Sequence, residues 1–213
     1  DLYGMHWPYK QHKTSRDQKL LPYHEDLKKT GACFGQSGEY ERPMWYALDD
    51  IKPEYDYSFN YQNWYPSVKH ESKNTIENVG LFELSPFSKY EIKGEDAYDE
   101  LQRLCTANIK DDIGKCTYTH MLNEGGGIET DLTVVCINKN HFRIISSAAV
   151  RTHDKAHILK HLSKDVEFKD VTDDLICLGI FGPKSRELLS KITNENLSNE
   201  KFKFGTSKNI NIG

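Results

Sequence analysis

Asp131 is an acid set among apolar neighbours, four residues past the last of three consecutive glycines, and this arrangement is the one in the chain best suited to chemistry. A carboxylate between Ile128, Leu132, Val134 and Val135 is costly to desolvate, so a buried one should hold a backbone amide, a cation or a ligand N–H. At a ligand it could take or return a proton. The ordinary alternative is a surface acid that caps a turn or pairs with a lysine. Gly125, Gly126 and Gly127 admit backbone conformations that other residues resist, and they remove side chains that would keep a flat ligand from the main chain. Two alternating segments between Thr117 and Val135 must position this loop. Tyr118, His120 and Leu122 fall on one face of the first, and Leu132, Val134 and Cys136 on one face of the second, so the stretch reads as a half-buried hairpin.

Two further clusters could carry chemistry. His153, His157 and His161 recur every four residues on a helix pattern, which lines all three along one face. Zinc sites use such pairs, but Asp154, Lys155, Lys160 and Lys164 mark a solvated surface and no fourth ligand stands at a known spacing, so no metal is expected. The aromatic run Trp45, Tyr46, Tyr55, Tyr57, Phe59, Tyr61, Trp64 and Tyr65 reads first as packing surface, with Tyr57 and Trp64 as candidates for stacking on a flat ligand. The five cysteines are widely spread with no C-x-x-C pair, which predicts free thiols and no catalytic cysteine. No G-x-G-x-x-G, G-x-x-x-x-G-K-[ST] or G-x-S-x-G occurs, which leaves no dinucleotide fingerprint, phosphate cradle or acyl-transfer nucleophile.

The supporting elements follow from periodicity and breakers. Residues 1 to about 65 show no sustained period and are cut by Pro8, Pro22, Pro43, Pro53 and Pro66, with one helix expected around Pro22 to Thr30. From Val68 the pattern becomes regular. Helices are predicted over Lys69–Val79, Glu95–Cys105 (Ala97, Leu101, Leu104 and Cys105 on one face), Val150–Leu162 and from Pro183 through Ile192. Strands are predicted over Ser88–Lys93, His141–Ser147, Val166–Asp170 and Leu175–Phe181. This is an α+β pattern on a mostly antiparallel sheet. A net charge of −4 over 213 residues gives no reason to expect nucleic acid or an anionic membrane as partner, since both favour basic patches, and no apolar run is long enough for a membrane span. The absence of an initiator methionine and the stop at Asn211, Ile212 and Gly213 suggest a piece of a longer chain.

MLNEGGGIETDLTV resembles the N-E-x-G-G-I-x-x-D segment of the folate-binding aminomethyltransferase fold, the fold of the glycine-cleavage T-protein. YGMHWPYKQ, GACFGQSGEYERPMWY, VGLFELSPFSKYEIKG and GPKSRELLSKITNENLSNEKFKFGTSK extend the resemblance across nearly the whole chain, to the dimethylglycine and sarcosine dehydrogenase family of flavoproteins. The resemblance implies an end of a FAD-dependent oxidoreductase region over 1–65 and an incomplete T-protein-like folate domain over 66–213. It implies oxidative demethylation of an N-methyl amino acid, with the one-carbon unit passed to tetrahydrofolate. FAD would be bound mainly by an upstream domain, and an electron-transfer flavoprotein is a candidate partner. Asp131 is the expected catalytic residue, and Gly126, Gly127, Asn123, Tyr118, Tyr57 and Trp64 are the expected cofactor contacts. The compartment would be the mitochondrial matrix in a eukaryote or the cytoplasm in a bacterium. The alternatives are a stand-alone aminomethyltransferase or folate-dependent demethylase, and a non-catalytic relative of the pyruvate dehydrogenase phosphatase regulatory subunit.

Overall fold

The computed structural model describes residues 3–5 and 10–213. Pro8, read above as a break, and residues 6–9 of the opening motif lie outside the described residues. In chain order the elements are α1 (His24–Lys29), β1 (Ala32–Ser37), β2 (Tyr40–Tyr46), α2 (Tyr65–Glu77), β3 (Gly80–Glu83), β4 (Ser88–Lys93), α3 (Ala97–Leu104), β5 (Cys116–Leu122), β6 (Ile128–Asn138), β7 (His141–Ser146), α4 (Arg151–His161), β8 (Glu167–Asp170), β9 (Leu178–Phe181) and α5 (Ser185–Leu189). The chain divides into two compact units, one of residues 1–84 with 178–185 and one of 85–177 with 186–213.

The second unit is built on a five-stranded antiparallel sheet in the order β5-β6-β7-β4-β8. Alternation along its strands sends Tyr90 and Ile92 of β4, Leu132, Val134 and Cys136 of β6, and Phe142 and Ile144 of β7 into one core with Ala97 and Leu101 of α3 and Ile158 of α4. Burying each of the valine, leucine, isoleucine and phenylalanine side chains among these contributes roughly 1.5–3 kcal/mol, which is what holds α3 and α4 against the sheet. Asp99 and Glu100 in the first turn of α3 and Arg103 in its last complement the helix dipole. The opposite face of the sheet is charged. There Glu91, directly across from Arg143, takes that guanidinium at 2.7 Å, Lys93 at 2.9 Å and His141 at 3.2 Å.

In the first unit β1 and β2 form a hairpin within the stretch that shows no sustained period in the sequence. Its loop is the pair Gly38 and Glu39, with Gly38 at φ +65°, as a two-residue loop with glycine first requires. The alternation was hidden by a register shift between Cys33 and Phe34, which breaks the period of two. β3 and β9 make a separate antiparallel pair, and β3 too was not anticipated. Pro66 stands in the first turn of α2, so that helix begins at Tyr65, four residues before the predicted start. The predicted strand from Leu175 shrinks to Leu178–Phe181, and the helix predicted to reach Ile192 is regular only over Ser185–Leu189. The α+β class and the antiparallel sheet stand as expected.

Candidate functional site

β5 and β6 carry the glycine loop, and their register places Asp131 directly across from His120 and Tyr118 across from Thr133. Residues paired this way share a face, so Tyr118, His120 and Asp131 lie together. Tyr118, His120 and Leu122 share one face, as the alternation of a half-buried strand predicts. The face is open: Tyr118 is 61% exposed, while Thr119 and Met121 on the other side of the same strand are buried. Leu132, Val134 and Cys136 do face the core, as expected. Asp131 is therefore exposed, and the desolvation argument for a buried carboxylate does not apply to it.

Its partner is internal to the hairpin. The Tyr118 hydroxyl donates to Asp131 Oδ2 at 3.0 Å. That hydrogen bond, then partial burial, then the carboxylate's charge push the phenol above its ordinary pKa, so it remains a donor. His120 stands edge-on to the Tyr118 ring, with centroids 5.3 Å apart and planes at 75°. Sequence reasoning missed His120 as a site residue. Its spacing of two from Tyr118 was the available signal.

Asn123 organises the loop from its own side chain. Its Oδ1 accepts from the amides of Gly125 at 3.0 Å and Gly127 at 2.9 Å, and its Nδ2 donates to Glu129 at 2.8 Å. An Asx turn of this kind replaces backbone partners that the loop lacks. Gly126 sits at φ +80°, and a Cβ on Gly127 would lie 2.9 Å from Asn123 Nδ2. The two glycines are thus required by the turn itself. Asn123 has both ends of its amide committed, so it positions the loop.

Glu129 links this loop to α4. It receives His153 at 2.9 Å, and the Asn123 amide, offset by burial and aided by His153, holds its carboxyl below the usual range. His157 and His161 have ring centroids 4.8 Å apart, and burial followed by the charge of His161 pushes His157 below an ordinary histidine. The two rings, Lys160, Arg103, Glu124 and Glu129 border a cleft of about 630 Å³. Among the described residues no group of three or more His, Cys, Asp and Glu is placed to hold a metal ion. The solvated-surface reading of this helix fails at Asp154, which is fully buried because it sits on the core side, one turn from Ile158.

Tyr57 and Trp64 lie in the first unit, packed with Tyr55. Tyr57 stacks on Tyr55 at 5.4 Å, and Trp64 meets both rings edge-on at 5.8 Å and 5.0 Å. The five cysteines are free thiols, and burial pushes Cys105 up to about 12 and Cys33 up to about 11. Among the described residues no helix is long and apolar enough to cross a membrane.

The family of GCVT N-terminal domains matches residues 23–213, and the chain belongs to that family. It is 38% identical over 213 residues to 4-methylaminobutanoate oxidase (formaldehyde-forming) of Paenarthrobacter nicotinovorans, covering 99% of this chain and 26% of that protein. It is 35% identical over 189 residues to mitochondrial dimethylglycine dehydrogenase of Rattus norvegicus, covering 87% of this chain and 22% of that one. The chain thus spans about a quarter of the length of these relatives, which are oxidoreductases of N-methylated amino acids. The glycine cleavage system aminomethyltransferase T from Bartonella henselae superposes with a TM-score of 0.66 at 24% identity, over 81% of this chain and 43% of that one, and establishes the shared fold.

Proposed function

We propose that this chain is the folate-side portion of a FAD-dependent dehydrogenase that oxidatively demethylates an N-methyl amino acid of the dimethylglycine or sarcosine type and delivers the one-carbon unit to tetrahydrofolate. The observation that carries the proposal is the Tyr118–Asp131 pair on the open face of the hairpin, within a domain of the GCVT family. Tetrahydrofolate fits the residues present: an accessible carboxylate can accept its N–H groups, the exposed Tyr118 ring offers an apolar face, and the glycine loop brings main chain to the surface. Bound there, tetrahydrofolate supplies the nucleophilic nitrogen that takes up the one-carbon unit. Asp131 would accept the proton released at that nitrogen, and the Tyr118 hydroxyl would hold the carboxylate oriented for it. Gly126 and Gly127 would line the approach, with Asn123 keeping the loop in shape. FAD would be bound mainly outside this stretch, since among the described residues no glycine-rich turn opens a helix after a strand.

The division at residue 65 between a flavin-side segment and an incomplete folate domain belongs to the same proposal, and the family match from residue 23 makes 23–65 the part to be decided. The fragment by itself is inactive in this reading. An electron-transfer flavoprotein receives the electrons, and the compartment follows the source, mitochondrial matrix or bacterial cytoplasm.

The test is calorimetric titration of tetrahydrofolate into the full-length protein and its Asp131→Ala variant, with methylene-folate production measured in parallel. The wild type should bind, and the variant should lose about 10²–10⁴-fold in folate-coupled product while flavin reduction continues. Unchanged methylene-folate production in the variant would remove Asp131 from the chemistry. A wild type that fails to bind would remove the folate reading altogether.

A further inference from the structure

His153 anchors the glycine turn to α4. Asn123 shapes the turn by accepting from the amides of Gly125 at 3.0 Å and Gly127 at 2.9 Å, and its own Nδ2 donates to Glu129 Oε1 at 2.8 Å. The other oxygen of Glu129 meets His153 Nε2 at 2.9 Å. The second ring nitrogen of His153, Nδ1, faces Asp154 Oδ1 at 3.4 Å. Asp154 is fully buried, and among the described residues its Oδ2 has no hydrogen-bond partner. A continuous path therefore runs from a buried acid on α4, through one imidazole, to the amides of the turn.

This path constrains protons. A neutral imidazole has one N–H and one lone pair, so either tautomer aims a lone pair at one of the two carboxylates. Both contacts are satisfied only when His153 and Asp154 together hold one proton more than a neutral ring beside a carboxylate, whichever of the two carries it. A buried charge without a donor is costly, so that proton is what closes the path. Glu129 stays ionised, because the Asn123 amide, offset by burial and aided by His153, holds it below the ordinary carboxylate range. The other charged groups at this cleft are His157, His161 and Lys160 on α4, Arg103 on α3 and Glu124 in the turn. Arg103 is engaged with Glu100 at 2.6 Å and with the His161 carbonyl at 2.5 Å. His157 acts on Glu129 through its charge alone, and burial, then His161, push it below an ordinary histidine, so it does not replace His153. On the core side Tyr90 of β4 feels the charge of Asp154, but its hydroxyl donates to the Arg151 carbonyl at 2.8 Å. Arg151 and Lys155 direct their charges to Asp170.

We propose that His153 is a positioning residue for the glycine turn, clamping it through Glu129 and Asn123 when the His153–Asp154 pair holds its extra proton and releasing it when that proton leaves. The clamp is complete at the acid end of the range in which imidazoles change charge, and it is lost as pH rises. The clamp stands on the geometry; its effect on a ligand rests on the folate reading proposed above.

The test is millisecond hydrogen exchange of residues 122–129 in the full-length protein, from about pH 5.5 to about pH 8.5, read by mass spectrometry and corrected for intrinsic exchange. Wild-type protection should fall about threefold to fivefold as pH rises, the scale of a partly exposed ion pair. His153 is 52% exposed, so replacing it leaves the core intact. His153→Gln, whose amide donates to Glu129 without titrating, should hold protection level with pH, and His153→Ala should lack it throughout. Asp154→Asn, which no longer needs the second proton, should also flatten the profile, with circular dichroism reporting on α4. His157→Gln should keep the wild-type slope. A flat wild-type profile, or a slope that survives His153→Gln, overturns the proposal. Calorimetric titration of tetrahydrofolate over the same range separates the two readings: its affinity should weaken as the turn loosens, with methylene-folate production at saturation changed less. Protection that follows pH in a protein that binds no tetrahydrofolate leaves the clamp and refutes the folate reading, whereas binding with a flat protection profile refutes the clamp alone.

Discussion

Glu91 offers the most quantitative test of how the sheet is held together. It lies on β4, between β7 and β8, with Arg143 at 2.7 Å, Lys93 at 2.9 Å and His141 at 3.2 Å. Burial alone would push its carboxyl up, but the hydrogen bonds from Arg143 and Lys93 and the charge of His141 outweigh burial and hold it at about 2. A fall from an unfolded value of about 4.3 to about 2 is worth about 3 kcal/mol in full. Lys93 is partly in water and screens part of this, so about 1–2 kcal/mol is the expected share in stability. Because the folded value is depressed, that stability is present above about pH 4.5 and is lost as pH falls toward 2. Urea unfolding followed by circular dichroism, for wild type and Glu91→Gln, reads this directly. The variant should be less stable by about 1–2 kcal/mol at pH 7, and by pH 3 less than about half of that gap should remain. A gap that stays constant from pH 7 to pH 3 would mean that Glu91 matters only through packing, and the electrostatic reasoning would be wrong.

Tyr118→Phe removes the donor to Asp131 but leaves the ring, so folate-coupled turnover should fall several-fold, less than in Asp131→Ala; equal losses would show that the hydroxyl is itself indispensable. Gly182→Ala should destabilise the first unit by about 2–4 kcal/mol in thermal unfolding, since φ is +125° and a Cβ would lie 2.5 Å from the Asn78 carbonyl. Leu101→Ala, in a fully buried position against the sheet, should cost about 2–5 kcal/mol. Iodoacetamide at pH 8 should leave Cys33 and Cys105 unlabelled in the native protein, because burial holds their thiols at about 11 and about 12; rapid labelling by mass spectrometry would contradict their burial.

Much of the second unit was legible because its elements announce themselves locally. β4 alternates Tyr90 and Ile92 with Lys89 and Glu91, α3 carries Ala97 and Leu101 one turn apart, and Gly94 at φ +142° marks the break between them. The hairpin of β1 and β2 was illegible because its bulge between Cys33 and Phe34 and the small Gly35 disrupt the alternation that would mark its strands. At the site, the residues of the glycine turn could be named in advance, since an N-x-G-G-G run with an acid beyond it has few structural uses. Which face of the hairpin would be wet could not.

By itself the sequence determined the family, the antiparallel α+β class and the turn, because local spacing of apolar residues, glycines and Asn123 dictates each of these without distant partners. Only the tertiary structure decided the rest. It turned Thr119 and Met121 inward because α3 and the core lie on that side of β5, which exposes Asp131 and gives it to Tyr118. It buried Asp154 for the same reason, and it set Trp45 and Trp64 edge-on to Tyr55. An alternating strand has two faces that differ little in composition here, and the side that becomes core is chosen by whichever element packs against it.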